Sequence, residues 1–170
     1  MADRIVVVDN LRLRYDGVFN MNELYMLIDK YYREKGYDKL ERQMFEHQYS
    51  DGKQIEVVLE PWKKINDYIQ NEMKIVILVT NLKNIEVKKD GHVVKLNHGR
   101  IQISFIGWLR FDYYHKWNET PFLYFLRVVF DRYIFRKNTE RFENYCMEEV
   151  EGLYNLVRNY LNMYKLRHRS

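Results

Sequence analysis

The chain has 170 residues, of which 28 are Lys or Arg and 24 are Asp or Glu, so its formal net charge is +4. With 46% apolar residues and charges of both signs, it is typical of a folded globular domain and not of a disordered chain. No apolar run approaches the roughly 20 residues that a membrane helix needs, the N-terminus lacks a secretory signal, and the single cysteine excludes an internal disulfide. We therefore expect one cytoplasmic domain over residues 1–170, with no membrane partner.

The N-terminal part of the chain predicts a strand followed by a helix. Residues Arg4–Tyr15 are apolar and then alternate, which indicates one strand or two short strands separated near positions 9 and 10. Asn20, with Glu23 three residues later in the spacing of a capping box, predicts a helix start. Gly36 is the expected end of that helix.

A first hairpin is predicted over Leu40–Glu60, because Asp51-Gly52 fits a two-residue type I′ turn. Pro61 is expected to interrupt the second strand. The following segment, Trp62–Asn71, fits either a helix or a kinked continuation of the strand. Met73–Thr80 then predicts a buried strand.

A second hairpin is predicted over Asn84–Leu96 around Asp90-Gly91. In this register Val87 pairs with Val94 and Ile85 pairs with Leu96, so that two apolar pairs share one face. His98-Gly99 is then expected to turn the chain into the next strand.

Residues 101–113 alternate between apolar and more polar side chains over an unusual length. Odd positions carry Ile, Phe, Leu, Tyr or Gly, whereas even positions include Trp108 and Arg110. This period predicts one strand of roughly 40 Å, with odd positions on the core and even positions facing solvent or a partner. Gly107 predicts a bend in the strand or the close approach of another backbone.

Two helices are predicted to follow the long strand. Thr120 followed by proline is typical of a helix start, and Pro121–Arg136 is apolar around most of its circumference. We expect this helix to be buried between the sheet and another helix or a second subunit. Thr139 is the predicted cap of the last helix. The apolar stripe of this last helix includes Cys146, and Gly152 within the helix predicts close packing or a bend.

The order of these elements predicts the fold class. A strand and a helix precede a run of strands, and two helices end the chain. This order indicates an α+β fold with a curved antiparallel sheet of about six to seven strands and three helices packed on one face.

Residues with catalytic or metal-binding chemistry form no recognisable arrangement. No two of the five histidines stand three or four residues apart on a helix, and a zinc site needs three or four converging ligands, so we predict no metal. Phosphate-loop and nucleophile-elbow patterns are missing, so we expect no cofactor and name no catalytic residue. Cys146 is predicted to be a buried, inert thiol, and Asp112 is expected to pair with Arg110.

Cations and aromatic residues along the outer sheet face, the second hairpin and the C-terminus indicate a surface that can hold RNA. Aromatic rings stack on unpaired bases and cations bind phosphate. From Gly152 to Ser170 there are four Lys or Arg residues and no acid, so electrostatic attraction should centre there. The alternative is an ordinary solvated surface, because acidic residues dilute the charge. The candidate nucleic-acid-binding residues are Lys63, Lys64, Lys88, Lys89, Lys95, Arg100, Trp108, Arg110, Lys165, Arg167 and Arg169.

The block WNETPFLYFLRVVFDRYI, in which an aromatic loop precedes a PFLxFLR helix, resembles a pattern in small uncharacterised archaeal proteins. The resemblance extends over Trp62–Ile134 and implies no named family and no known activity. It favours a cytosolic, non-enzymatic accessory protein.

Three functional hypotheses follow from the sequence. The first is a non-enzymatic binding protein that self-associates, as a dimer in the simplest case, because the Pro121–Arg136 helix has more apolar surface than one neighbour covers. The second is an RNA- or ribosome-associated factor. The third is an enzyme or small-ligand carrier with an aromatic pocket between the sheet and the helices.

Overall fold

The computed structural model describes residues 4–50, 52–89, 92–111 and 136–167, together with the helical positions 121, 122, 125 and 129. These ranges contain five strands and two long helices, in the order β1 (Arg4–Phe19), α1 (Met21–Glu34), β2 (Lys39–Tyr49), β3 (Gly52–Lys64), β4 (Ile69–Lys89), β5 (His92–Phe111) and α2 (Arg136–Arg167). All neighbouring strands are antiparallel, and the sheet order is β1-β5-β4-β3-β2. The α+β class and the single antiparallel sheet are therefore confirmed.

The described residues form five strands and not the predicted six to seven, because one expected turn and one expected break between strands are irregularities within longer strands. The chain does not turn at His98-Gly99, since β5 continues from His92 to Phe111. The pairing of β4 with β5 shifts register between Thr80 and Lys83, and Asn81 within this irregular stretch has a φ of 55°. A Cβ atom on Gly99 would lie 3.0 Å from the Thr80 carbonyl oxygen, so close backbone contact explains this glycine.

The ambiguous segment after the first hairpin forms a strand end and a turn. β3 runs through Pro61 to Lys64, so the expected interruption at Pro61 is wrong. The turn that follows is closed by Asn66, whose Oδ1 accepts hydrogen bonds from the amides of Tyr68 and Ile69 at 2.9 and 2.7 Å. The second hairpin has the predicted register, with Val87 opposite Val94.

The inner face of the sheet forms the core with α1 and α2. Ile101, Ile103, Phe105, Leu109 and Phe111 are each at most 4% exposed, which confirms that the odd positions of the long strand face the core. Apolar side chains of both helices belong to the same core, namely Leu24 and Ile28 of α1 and Leu153 and Val157 of α2. No helix in the described ranges is long and apolar enough to cross a bilayer.

Two glycines allow α2 to pack closely. Close packing at Gly152 is as predicted, whereas the neighbour at Gly107 is a side chain and not the expected backbone. A Cβ atom on Gly107 would lie 2.8 Å from Cγ2 of Val150 in α2. A Cβ atom on Gly152 would lie 2.7 Å from the Tyr31 hydroxyl of α1. The helix therefore contacts the sheet and α1 at positions where a side chain would prevent the approach.

The ends of the helices agree only in part with the predictions. Asn20 caps α1 as expected, since its Oδ1 accepts from the amides of Asn22 and Glu23 at 3.0 and 3.2 Å. The predicted cap at Thr139 is wrong, because α2 already begins at Arg136. The basic C-terminal residues up to Arg167 belong to this helix and do not form a tail.

Most of the predicted Pro121–Arg136 helix lies outside the described residues. Its four described positions are helical. Phe122, Phe125 and Val129 are 69%, 63% and 38% exposed, so the expected burial between the sheet and another helix is wrong at these positions, whereas burial against a second subunit stays a prediction. Their spacing places them on one side of a helix, where they form an exposed apolar stripe.

Candidate functional site

The outer face of the sheet carries a groove of about 460 Å³ near the end where β3 meets β4. The cross-strand register places Trp62, Glu72 and Trp108 in one row across β3, β4 and β5. Arg4 and Arg110 line the same groove. The period-two pattern thus brings two indoles, two guanidinium groups and one carboxylate together on the face opposite the core.

The groove is organised around the buried Glu72 carboxylate. It accepts a hydrogen bond from Nε1 of Trp108 at 2.5 Å, and Nε of Arg110 lies 3.0 Å away. Nη2 of Arg4 is 3.6 Å from the same carboxylate, and the Arg4 guanidinium stands 4.5 Å from the centre of the Trp108 ring. Two cations thus share one anion, and the indole is held rigidly beside them. This arrangement can stack a planar group and bind an anion.

Three of the predicted nucleic-acid-binding residues lie at this end of the outer face. Lys64 and Arg110 stand in one row with Gln70 between them, and Trp108 is in the next row. The predicted ion pair between Arg110 and Asp112 is replaced by the pair with Glu72, and Asp112 itself lies outside the described residues.

The predicted cations of the second hairpin lie far from the groove. Lys88 and Lys95 are exposed near the tip. Sixteen residues of β4 separate Glu72 from Lys88, which corresponds to roughly 50 Å of extended chain. Arg100 lies between them and pairs with Asp16, with 3.4 Å between Nε and Oδ2. The predicted set therefore does not form one continuous site.

The remaining predicted cations belong to other parts of the molecule. Lys165 is exposed near the end of α2. The side chains of Lys89 and Arg167, and the whole of Arg169, lie outside the described residues. Lys63 points to the inner side of the sheet and does not belong to the outer surface.

Lys63 is part of a polar cluster between the sheet and the first half of α2. The centre is Glu149, which is 2% exposed and accepts hydrogen bonds from the hydroxyls of Tyr37 and Tyr145 at 2.5 Å each. Nζ of Lys63 is 3.7 Å from the Glu149 carboxylate, and Nδ2 of Asn71 is 3.4 Å from it. We call these five residues the inner polar cluster. It connects β3, β4 and the α1–β2 loop to α2.

Burial controls the acid–base behaviour of the inner polar cluster. It raises the pKa of Tyr37 and Tyr145 above 10, and the nearby Glu149 charge raises both further. Burial, with a smaller effect of Glu149, also raises the pKa of Cys146 to about 12. The tyrosines therefore remain hydrogen-bond donors. The prediction that Cys146 is buried is confirmed, and its thiol stays protonated at neutral pH.

A second exposed feature is the edge of the sheet formed by β2. All residues from 43 to 50 are exposed, and they include Met44, Phe45 and Tyr49 at 48%, 50% and 59%. Large apolar side chains thus face solvent on both sides of this edge. The exposed stripe at positions 122, 125 and 129 is a further apolar surface.

The described residues contain no group of three or more His, Cys, Asp or Glu side chains placed to hold a metal ion. Comparison with protein-family models, with curated proteins and with solved structures finds no match to this chain. The resemblance to archaeal proteins gains no support from these comparisons.

Arg4, Glu72 and Glu149 are among the members of these sites that were not singled out from the sequence. Arg4 and Glu72 meet Trp108 only because β1 and β4 flank β5, and this pairing has no local signal. Glu149 does have a signal. It stands three residues after Cys146 and four before Leu153, so helical spacing places a charge on the apolar stripe of α2.

Proposed function

We propose that this protein is a non-enzymatic binding protein that works as a self-associated dimer. The observation that carries the proposal is the exposed β2 edge, where regular backbone pairing groups coincide with exposed Met44, Phe45 and Tyr49. A long edge strand of this kind favours pairing with another strand.

The exposed stripe formed by Phe122, Phe125 and Val129 supports the same proposal. Soluble proteins rarely leave contiguous apolar surface uncovered, and such patches mark interaction sites. Within the inner polar cluster, in contrast, the Glu149 carboxylate, the Tyr37 and Tyr145 hydroxyls and the Lys63 ammonium bind one another, which makes them poor candidates for catalysis.

Light scattering coupled to size exclusion tests the proposal. We expect a mass of twice the 21.1 kDa of one chain at micromolar concentration, with a shift toward 21.1 kDa on dilution. A mass of 21.1 kDa that stays constant throughout the micromolar range would refute self-association.

The groove on the outer face favours a second function, the binding of single-stranded RNA. Trp62 and Trp108 offer ring faces for bases, and Arg4 and Arg110 carry more positive charge than Glu72 neutralises. Stacking and phosphate contacts at one place are what proteins use to hold unpaired strands.

Fluorescence anisotropy with a labelled RNA oligonucleotide tests this second function. Affinity should fall steeply with salt, and Trp108→Ala should weaken binding by about 1–3 kcal/mol if one base stacks there. Met26→Ala, at an exposed position of α1, is the control and should bind as the wild type does. A lack of RNA binding even at low salt would dispose of this function.

A further inference from the structure

We infer that the second copy docks on the outer edge of β2, so that two β2 strands pair antiparallel about a two-fold axis at Met44. This inference rests on the proposed self-association and names its surface and register. The two five-stranded sheets would then join into one continuous sheet.

The two edges of the sheet differ in their ability to accept a further strand. β2 pairs with β3 without a register shift, from Lys39 opposite Trp62 to Tyr49 opposite Gly52. In the described part of the chain no strand lies on its other side. β1, at the opposite edge, is interrupted by register shifts between Val6 and Leu11 and by a positive φ of 58° at Asn10. Bulges of this kind block edge pairing, so β2 is the edge left open.

Two-fold symmetry restricts the possible registers. Residues that stand opposite each other in an antiparallel pair must project to the same face, and successive residues alternate between faces. The axis must therefore pass through a residue that stands opposite its own copy. Only a few positions near the middle of β2 allow most of the strand to pair.

The charges of β2 favour the axis at Met44, because among the central positions it is the one that sets opposite charges against each other. With the axis at Met44, Arg42 stands opposite the partner's Glu46, and Glu41 stands opposite the partner's His47. Symmetry forms each pair twice. An axis at position 42 or 46 would instead set two arginines or two glutamates against each other, which is unfavourable. The strand is thus self-complementary in the register centred on Met44.

The intrachain contact of Glu46 leaves room for this pairing. Glu46 also contacts Lys53 of its own chain, with 2.9 Å between Oε1 and Nζ. Both side chains are nearly half exposed, and a carboxylate has two oxygens, so Glu46 can accept from a second cation. Met44 and Phe45 are 48% and 50% exposed, and each would gain a cross-strand neighbour from the partner that covers part of this exposed surface.

A cysteine introduced at the axis tests the register directly. Met44→Cys would place two thiols in directly opposed residues about 4.5–5.5 Å apart between Cα atoms, within disulfide reach. Cys146, the one natural cysteine, is 0% exposed and does not compete. We expect mild oxidation to give a covalent dimer. Gln48→Cys is the control, because its two copies would be about 26 Å apart and should not cross-link.

Charge reversal provides an independent test. Arg42→Glu and Glu46→Arg should each raise the dimer dissociation constant tenfold or more, because they set like charges opposite each other. The double variant Arg42→Glu/Glu46→Arg restores both pairs and should return to within about threefold of the wild type. Circular dichroism melts show whether each variant is folded.

The outcomes separate this inference from the function on which it rests. A dimeric wild type whose Met44→Cys variant fails to cross-link, and whose double charge variant stays as weak as the single ones, would overturn the β2 register and leave self-association intact. A strictly monomeric wild type would overturn both. Cross-linking at position 44 together with charge rescue establishes the register.

Discussion

Glu149→Gln keeps the size of the side chain and removes the charge from the inner polar cluster. In the wild type the carboxylate accepts hydrogen bonds from Tyr37 and Tyr145 at 2.5 Å, and Lys63 lies 3.7 Å away. Because Glu149 is 2% exposed, solvent does not screen these interactions. The substitution therefore measures how strongly the charge holds α2 against the sheet.

The expected magnitude follows from the number of bonds. A hydrogen bond to a charged group contributes about 1.5–3 kcal/mol and one between neutral groups about 0.5–1.5, so each tyrosine loses about 1 kcal/mol. Lys63 adds little, because it is 24% exposed and still donates to the Tyr145 hydroxyl and the Lys35 carbonyl at 2.7 and 2.6 Å. We expect the free energy of unfolding to fall by about 2 kcal/mol and Tm by about 4–8 °C.

Urea denaturation at a fixed protein concentration measures this change. Glu149→Ala leaves the Tyr37 and Tyr145 hydroxyls without their acceptor and should lower the free energy of unfolding by about 4 kcal/mol. Glu148→Gln, at the exposed neighbouring position, is the control and should stay within about 0.5 kcal/mol of the wild type. If Glu149→Gln unfolds at the same urea concentration as Glu148→Gln, the charge does not hold the helix and the reasoning is refuted.

Three further predictions concern packing and protonation. Gly107→Ala should lower the free energy of unfolding by about 1–3 kcal/mol through overpacking against Val150. Adding Val150→Ala should recover part of this loss, as measured by thermal unfolding. If the effects of the two substitutions simply add, the contact between positions 107 and 150 is contradicted. The raised pKa of Tyr37 and Tyr145 means that the folded protein keeps protons that the unfolded chain releases near pH 10, so stability is full below pH 10 and falls as the pH rises further. Ultraviolet titration of tyrosinate checks this, and ionisation of all 15 tyrosines together near pH 10 would exclude it. Cys146, with its pKa raised to about 12, should react with a thiol reagent only in urea, and rapid labelling of the native protein would show that it is accessible.

Local periodicity was sufficient to predict the long strand and the second hairpin. The buried odd positions from Ile101 to Phe111 and the pairing of Val87 with Val94 depend on residues close in the sequence. The number of strands could not be predicted in the same way. Asn81 lies at a bulge, and Gly99 permits close backbone contact. Asn and Gly are also typical of turns, so their presence does not distinguish an irregular strand from a turn.

The position of Lys63 shows how one wrong boundary changes a functional prediction. The inward pattern of Ile55, Val57 and Leu59 continues to Lys63 only if Pro61 remains inside the strand. Because the sequence leaves Trp62–Asn71 as either a helix or a kinked continuation of the strand, it does not show that Lys63 points inward. Its true partner, Glu149, is 86 residues away in the sequence and is brought near only by the packing of α2.

The first strand of the chain cannot pair until the last strand has been synthesised. Position 4 pairs with position 110, and in the described structure β1 has no neighbour in the sheet other than β5. At a ribosomal rate of about 5–20 residues per second, the start of β1 is synthesised roughly 5–20 s before its partner has been made. We expect the β2–β3 and β4–β5 hairpins to form first, since their ends are close together in the chain, and pulsed hydrogen exchange that protected β1 as early as β4 would contradict this order. A newly made chain therefore carries an apolar segment without its partner until synthesis has passed residue 111, and this interval is when the protein most needs protection from aggregation.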